Sequence, residues 1–282
     1  MEKGNENPFS GLQQTIRGIA DELSGTLGIA VRTLNGEASF YYNEHTSFPA
    51  ASTIKIHILI ELFKQVRAGK RKLDDFIEIP ITDRVGPLWS QMSSGVLKDL
   101  ESVTRISLKD AATLMMIVSD NVAANLLIDL LGLENIEDTI RNLGLAKTKL
   151  QRKFMDLESA EKGLQNLSSP YEMMATLEKI AGVDILDAQS CQLILDILAK
   201  TQDQLGLRRL IPQEIRIEHK TGEFFHVCND VGIVHLPCKP FIVCVMTKGV
   251  NLVKGWDAVA EVGKIFYDSL STSQRKKRKI SM

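Results

Sequence analysis

The chain has 282 residues, 44% hydrophobic and 24% charged, with 34 basic against 35 acidic side chains and a net charge of -1. That is the composition of an ordinary globular protein with enough length for a large core in one or two domains. The balanced charge gives no footing for nucleic acid or an acidic membrane surface. No apolar run is long enough for a membrane-spanning helix. Residues 1–8 carry no apolar signal segment, so the expectation is a cytoplasmic protein as given, or a secreted one if a leader has been removed. Cys191, Cys228, Cys238 and Cys244 show no Cys-x-x-Cys spacing and no companion His cluster. They read as four reduced thiols, with no metal site and no cofactor.

In chain order, 10–23 reads as an amphipathic helix with Leu12, Ile16, Ile19, Ala20 and Leu23 on one stripe. Two strand-like runs follow, 26–34 and 37–42, with Asn35-Gly36 between them, the strongest short-range hairpin signal. Residues 54–68 are helical, end near Gly69 and gather Lys and Arg at the C-terminal end, as the helix dipole favours. Residues 83–102 are irregular; Trp89 there reads as buried at a subdomain edge, with lining a pocket mouth as the alternative. Residues 107–118 form a helix with Ser107 as N-cap and Asp110 as capping-box partner. Further helices span 122–131 and 134–142, each followed by a glycine, Gly132 and Gly144. Residues 148–167 are polar and irregular. Ser168-Ser169-Pro170 opens a helix to about 181, and 188–199 is another. Three strand-like runs, 215–219, 230–236 and 241–247, precede a final amphipathic helix, 253–270. The basic run Arg275-Lys276-Lys277-Arg278-Lys279 reads as a solvated disordered end rather than a nucleic-acid or membrane patch. There are no internal repeats.

Strands near both ends of the chain with helices between them imply an α+β fold: one antiparallel sheet built from both termini, with a helical part beside it and a site in the cleft between the two. The expected division is one catalytic domain over 10–272, its α/β part about 10–50 and 183–272 and its helical part about 51–182, with a tail over 273–282.

The residues with chemical promise start at Ala51-Ser52-Thr53-Ile54-Lys55, where a polar run gives way to an apolar helix. Ser52 there is first of all an N-cap candidate. Lys55 is three residues on, so on a helix its amine and the Ser52 hydroxyl share a face, which also suits a nucleophile and its base. Alone, Ser-x-x-Lys is a weak signal. Ser119-Asp120-Asn121 and Lys220-Thr221-Gly222 follow in order and well separated. The second lies between two helical runs and the third at the end of a strand-like run. Three short motifs in this order are a strong signal.

On these motifs the chain resembles the class A β-lactamase-like serine hydrolases, a family that includes penicillin-binding proteins, over nearly its whole length, from about Ser10 to Leu270. Residues 111–118 are similar to the family's helix before Ser-Asp-Asn, Thr148-Lys149-Leu150-Gln151-Arg152 to the start of its omega loop, and Asn229-Asp230-Val231-Gly232-Ile233 to the strand after Lys-Thr-Gly. The resemblance implies a five-stranded antiparallel sheet flanked by helices plus an all-helical subdomain. It also implies roles. Ser52 would attack a carbonyl to form an acyl-enzyme, and Lys55 would take its proton or hold a relay, the former once burial and a neighbouring cation such as Lys220 make the amine less basic. Ser119 would pass a proton to the leaving nitrogen, and Asn121 would hold Lys55 and the substrate amide. Lys220 and Thr221 would bind a substrate carboxylate, Gly222 would let the strand approach the ligand, and the backbone N–H groups of Ser52 and Glu223 would form the oxyanion hole. The partner implied is a small β-lactam or related ester or amide, bound by a monomer.

One segment departs from the family pattern. Where the family has Arg-x-Glu-x-x-Leu-Asn, this chain has Arg152-Lys153-Phe154-Met155-Asp156-Leu157-Glu158. Phe154 stands where the Glu that activates the deacylating water would be. Asp156, Glu158 and Glu161 read as solvated loop carboxylates, with a shifted base as the alternative. Asn166 replaces the Asp expected to pair with Arg152. The expectation is a β-lactamase whose acyl-enzyme forms and leaves slowly; a penicillin-binding or esterase-like enzyme and a catalytically silent scaffold are the alternatives. His57 reads as a core residue and His219 as a strand-end histidine making ordinary hydrogen bonds, with electrostatic tuning of Lys220 as the alternative. With no Gly-x-Ser-x-Gly elbow, neither His57, His219 nor His226 supports a Ser-His-Asp triad.

Overall fold

The first two strands form as the hairpin signal requires. β1 (Thr26–Thr33) pairs antiparallel with β2 (Ser39–Tyr42), in a computed structural model that describes residues 7–84 and 93–280, with side chains to 272. Gly36 takes φ 73° and its N–H returns to Thr33 O at 2.8 Å, so glycine supplies the left-handed residue of the turn. Trp89 lies outside the described residues.

Three more strands complete the sheet: β3 (Ile217–Phe224), β4 (Val227–Val234) and β5 (Phe241–Lys248). The order is β2-β1-β5-β4-β3, every pair antiparallel. Strands from both ends of the chain do meet: Ile29 is opposite Val245 and Val31 opposite Val243. Leu27, Ile29 and Val31 of β1 and Phe241, Val243 and Val245 of β5 alternate onto one face. They form a core there with Ile16 of α1 (Leu12–Asp21) and Val259, Val262, Phe266 and Leu270 of the last helix. Phe266 is fully buried and meets Phe9 edge-on and Phe40 at a tilt, both at 5.1 Å between centroids. These elements, with Ser169–Glu178, make one of two compact units.

The strand boundaries differ from the sequence expectation. β3 runs through Lys220-Thr221-Gly222 to Phe224 instead of stopping at His219, and β4 starts at Val227 rather than Asp230. The antiparallel ladder between them carries these polar residues along, because each is paired across to β4. The last helix spans Leu252–Ile280, past the expected end at 270 and into the basic run expected to be disordered; Lys and Arg are good helix formers.

The second unit holds Pro49–Ser168 and Lys179–Asp203. Its centre is α2 (Lys55–Arg67), buried nearly all round through Ile56, Ile58, Leu59, Ile60, Leu62 and Phe63. α3 (Leu108–Ile117), α4 (Asn121–Leu131), α5 (Leu133–Asn142) and α8 (Ala188–Leu198) pack on it; α6 is Leu157–Glu161, and α7 (Pro170–Ala181) falls mostly in the sheet unit. Ser107 caps α3 as expected, accepting from Asp110 N–H at 3.1 Å. α8 was expected with the sheet; its buried Cys191, Ile194, Ile197 and Leu198 place it in the helical unit. Among the described residues no helix is long and apolar enough to cross a membrane.

Candidate active site

The N-cap reading of Ser52 fails on geometry. Ala51, with φ 47°, turns the chain into a single 3₁₀ turn, Ala51–Ile54, and α2 begins only at Lys55. Neither the turn nor the helix has a side-chain cap, so Ser52 does not terminate an element. It is nevertheless buried, at 9% exposure, one turn ahead of a Lys55 that is fully buried. A buried ammonium is expensive unless it is bonded on several sides. Here Lys55 Nζ donates to Ser119 O at 2.8 Å, to Ser119 Oγ at 3.2 Å and to Asn121 Oδ1 at 2.7 Å. The two distant motifs thus converge on one amine.

Ser119-Asp120-Asn121 reaches that amine because each residue has a separate task. Ser119 takes φ 56°, a left-handed conformation that costs a non-glycine residue of order 1–3 kcal/mol and turns both its carbonyl and its hydroxyl to Lys55. Asp120 holds the turn. Its carboxylate accepts from Ala123 N–H at 2.9 Å, capping α4, and from Val96 and Leu97 N–H at 2.7 and 2.8 Å. Gly95 makes room: at φ 103° it lies where a Cβ would overlap Asp120. Asn121 donates its N–H to Ser94 O at 3.1 Å and its Nδ2 to Ser93 Oγ at 3.3 Å, which leaves Oδ1 for Lys55. The supporting roles of Asp120 and Ser93 were not read from the sequence. An acidic residue at the head of an apolar helix was the available signal for Asp120.

The loop 148–168 departs in sequence but is closed. Lys149 and Leu167 exchange backbone hydrogen bonds at 2.9 and 3.0 Å, and the Thr148 and Ser168 hydroxyls meet at 2.8 Å. Asn166 Oδ1 accepts from Gln151 and Arg152 N–H at 2.8 and 3.1 Å, and its Nδ2 donates to Arg152 O at 3.0 Å. The Arg152 guanidinium donates to Leu164 O and Lys153 O. A neutral amide at Asn166 thus bonds the loop backbone at Gln151 and Arg152.

Phe154 is held where the sequence placed the missing base. Its N–H donates to Asn125 Oδ1 at 2.9 Å and its carbonyl accepts from Asn125 Nδ2 at 3.0 Å. Its ring centroid lies 4.3 Å from Lys55 Nζ, well inside cation–π range. Asn125, one turn along α4 from Asn121, was not singled out in the sequence. Two of the loop carboxylates have partners of their own. Asp156 caps α6 through Ser159, whose hydroxyl and N–H are the first causes holding it below its ordinary pKa. Glu158 pairs with Lys162 at 2.6 Å.

In the sheet unit Lys220, Thr221, Gly222 and Glu223 are consecutive on β3, an edge strand. Lys220 and Thr221 are buried, and Lys220 Nζ donates to Thr221 O at 2.7 Å. Glu223 accepts from Trp256 Nε1 at 2.6 Å. His219 lies 2.9 Å from Asp230 Oδ1, a hydrogen bond of the kind expected of it, made here by a buried side chain. His57 is completely buried on α2. Burial pushes its pKa down to about 4, opposed by a hydrogen bond with the Ile54 backbone, so the imidazole is neutral. The four cysteines are free, and burial pushes the Cys228 thiol up to about 12. Among the described residues no group of three His, Cys, Asp or Glu is placed to hold a metal ion.

A five-stranded antiparallel sheet, a helical unit carrying Ser-x-x-Lys beside Ser-Asp-Asn, and Lys-Thr-Gly on an edge strand define a serine β-lactamase-like hydrolase. The chain belongs to the β-lactamase enzyme family, whose model matches residues 11–270. It is 30% identical to the β-lactamase CARB-3 of Pseudomonas aeruginosa, over 96% of this chain and 94% of that protein. Among solved structures it is similar to a β-lactamase from Sphaerobacter thermophilus DSM 20745, with a TM-score of 0.82 and 30% identity over 91% of this chain and 95% of that one. It is also similar to a leucine-to-glutamate mutant of PBP-A in an acyl-enzyme complex with penicillin G, with a TM-score of 0.83 and 27% identity over 93% and 96% of the two chains.

Proposed function

We propose that the protein is an acyl-serine enzyme of β-lactam chemistry that acylates readily and deacylates slowly. Ser52 Oγ attacks the lactam carbonyl and gives its proton to Lys55 Nζ. The carbonyl C–N bond then breaks, and Ser119 passes a proton to the departing nitrogen, leaving an ester on Ser52. Asn121 holds Lys55 and the substrate amide. Lys220 and Thr221 bind the substrate carboxylate beside Gly222. The N–H groups of Ser52 and Glu223 stabilise the oxyanion; loss of one such donor typically costs about 10²- to 10³-fold in rate.

The observation that carries this reading is the arrangement at Lys55: a buried amine bonded to Ser119 and Asn121, with a phenyl ring in place of a carboxylate. The first group of contacts supports acylation. The ring accepts no proton, so the water that would cleave the ester lacks its base there. The slow step also makes a penicillin-binding or esterase-like enzyme the second reading, supported by the likeness to PBP-A.

The test is intact-protein mass spectrometry after mixing with benzylpenicillin, followed over time. One persistent adduct, absent in Ser52→Ala, is expected. Steady hydrolysis with only a fleeting adduct would overturn slow deacylation, and the absence of both adduct and product would overturn the acyl-enzyme.

A further inference from the structure

The proposed reading treats Phe154 as a missing base. Its geometry gives it a second task. The ring is not loosely parked: Asn125 grips the Phe154 backbone from both sides, through N–H and carbonyl, at 2.9 and 3.0 Å. Asn125 is itself 7% exposed on α4, a helix that also supplies Asn121. One helix therefore fixes both the amide oxygen and the aromatic ring around Lys55 Nζ, at 2.7 Å and, for the ring centroid, 4.3 Å.

We propose that Phe154 is a positioning residue for Lys55: its π face stabilises the ammonium form and holds it against Ser119 and Asn121, so that Phe154 sets the acylation step as well as starving deacylation. The inference rests on Lys55 being the proton acceptor for Ser52. The chemistry is simple. Lys55 must be neutral to accept the Ser52 proton, and whatever stabilises its cation lowers the neutral fraction at a given pH. An aromatic face does so through its quadrupole, more strongly when the cation is desolvated, and Lys55 is fully buried.

Several charged groups on the surrounding elements of the helical unit have partners of their own. Asp120 is bonded to three backbone N–H groups, and Asp156 caps α6. Lys153 pairs with Asp129 at 2.5 Å. On α2 itself, Glu61 bonds Thr139 and Gln65 at 2.5 and 2.8 Å, and His57 is neutral. Lys220, assigned above to the substrate carboxylate, is unchanged in every variant compared below and so drops out of the comparison.

The test varies the quadrupole without varying the shape. Phenylalanines carrying one, two and three fluorine atoms at position 154 keep the ring and progressively weaken its cation affinity. The readout is the rate of benzylpenicillin adduct formation against pH, by quenched-flow mass spectrometry. The expected result is that the acid limb of the profile moves step by step to lower pH, with a rise of roughly five- to tenfold in acylation at neutral pH across the series. Phe154→Leu, apolar without a π face, should fall at the far end of the series, and Phe154→Trp should move the limb the other way. A limb that stays in place across the fluorinated series, or moves to higher pH, overturns the inference while leaving the acyl-enzyme intact. Failure of the wild type to form any adduct would instead overturn the underlying reading.

Discussion

The cluster around Lys55 and the loop 148–168 belong to the same helical unit, yet they bury polar groups under different rules. In the cluster one ammonium must be met by particular atoms: a serine carbonyl and hydroxyl, an asparagine oxygen, an aromatic face. Under the proposed mechanism, exchanging any of them should change the chemistry. In the loop the requirement is only that backbone groups be satisfied and the ends stay together. Asn166 meets it with three neutral hydrogen bonds, and the Arg152 guanidinium donates to two backbone carbonyls. Reaction chemistry tolerates few residue types, whereas closure tolerates many.

The largest effects should come from the cluster. Lys55→Met keeps the apolar stem and removes the proton acceptor, and adduct formation with benzylpenicillin should fall by roughly 10²- to 10⁴-fold, the range for a positioned general base. A fall of less than a few-fold would mean that Ser52 gets its activation elsewhere. Phe154→Glu should act on the other half of the cycle. A carboxylate on the backbone that Asn125 grips should shorten the adduct's lifetime by about 10²-fold. An unchanged lifetime would mean that the loop excludes water altogether, not that it merely lacks a base.

The same contrast explains what the sequence disclosed. The meeting of Lys55 with Ser119 and Asn121 was legible because two ordered motifs carry these residues. The sheet was legible from alternating runs at both ends of the chain. Asn125, Asp120 and Ser93 were not, because each acts on a backbone group or another amide, and such bonds leave no pattern in a single sequence. The Ser52 cap failed for a related reason: propensity sees a serine before a helix, but the left-handed Ala51 shifts the helix start to Lys55. The strand ends were misjudged because polar residues on β3 are carried by pairing with β4, not by their own preference.

Acid should separate the two regions thermodynamically. His57 has a folded pKa of about 4 against 6.5 in the unfolded chain. The unfolded chain therefore takes up a proton first, and the stability this group provides is complete above pH 6.5 and is lost as the pH falls to about 4. The loss is about 3 kcal/mol over that window. Asp156 in the loop has a depressed pKa, so its contribution holds until the pH falls below 3.8, the ordinary carboxylate value. His57→Leu should flatten the fall in melting temperature between pH 6.5 and 4 without touching the lower range. A fall just as steep in the variant would mean that the acid-labile group is not on α2.

The smallest effect tests whether the loop is closed as the geometry implies. Asn166→Ala strips Gln151 N–H, Arg152 N–H and Arg152 O of their partner at once, and should cost about 1–3 kcal/mol. In a chain of this size that is a drop of roughly 2–4 °C in melting temperature per kcal/mol. Asn166→Asp keeps the acceptor for both N–H groups and loses only the donor to Arg152 O, while its charge faces the Arg152 side of the loop. It should be the milder change. If the aspartate variant proves the worse of the two, the amide donor rather than the acceptor holds the loop. If alanine costs nothing, the Lys149–Leu167 bridge and the Thr148–Ser168 hydroxyl pair close the loop unaided, and closure is even less demanding of residue type than Asn166 suggests.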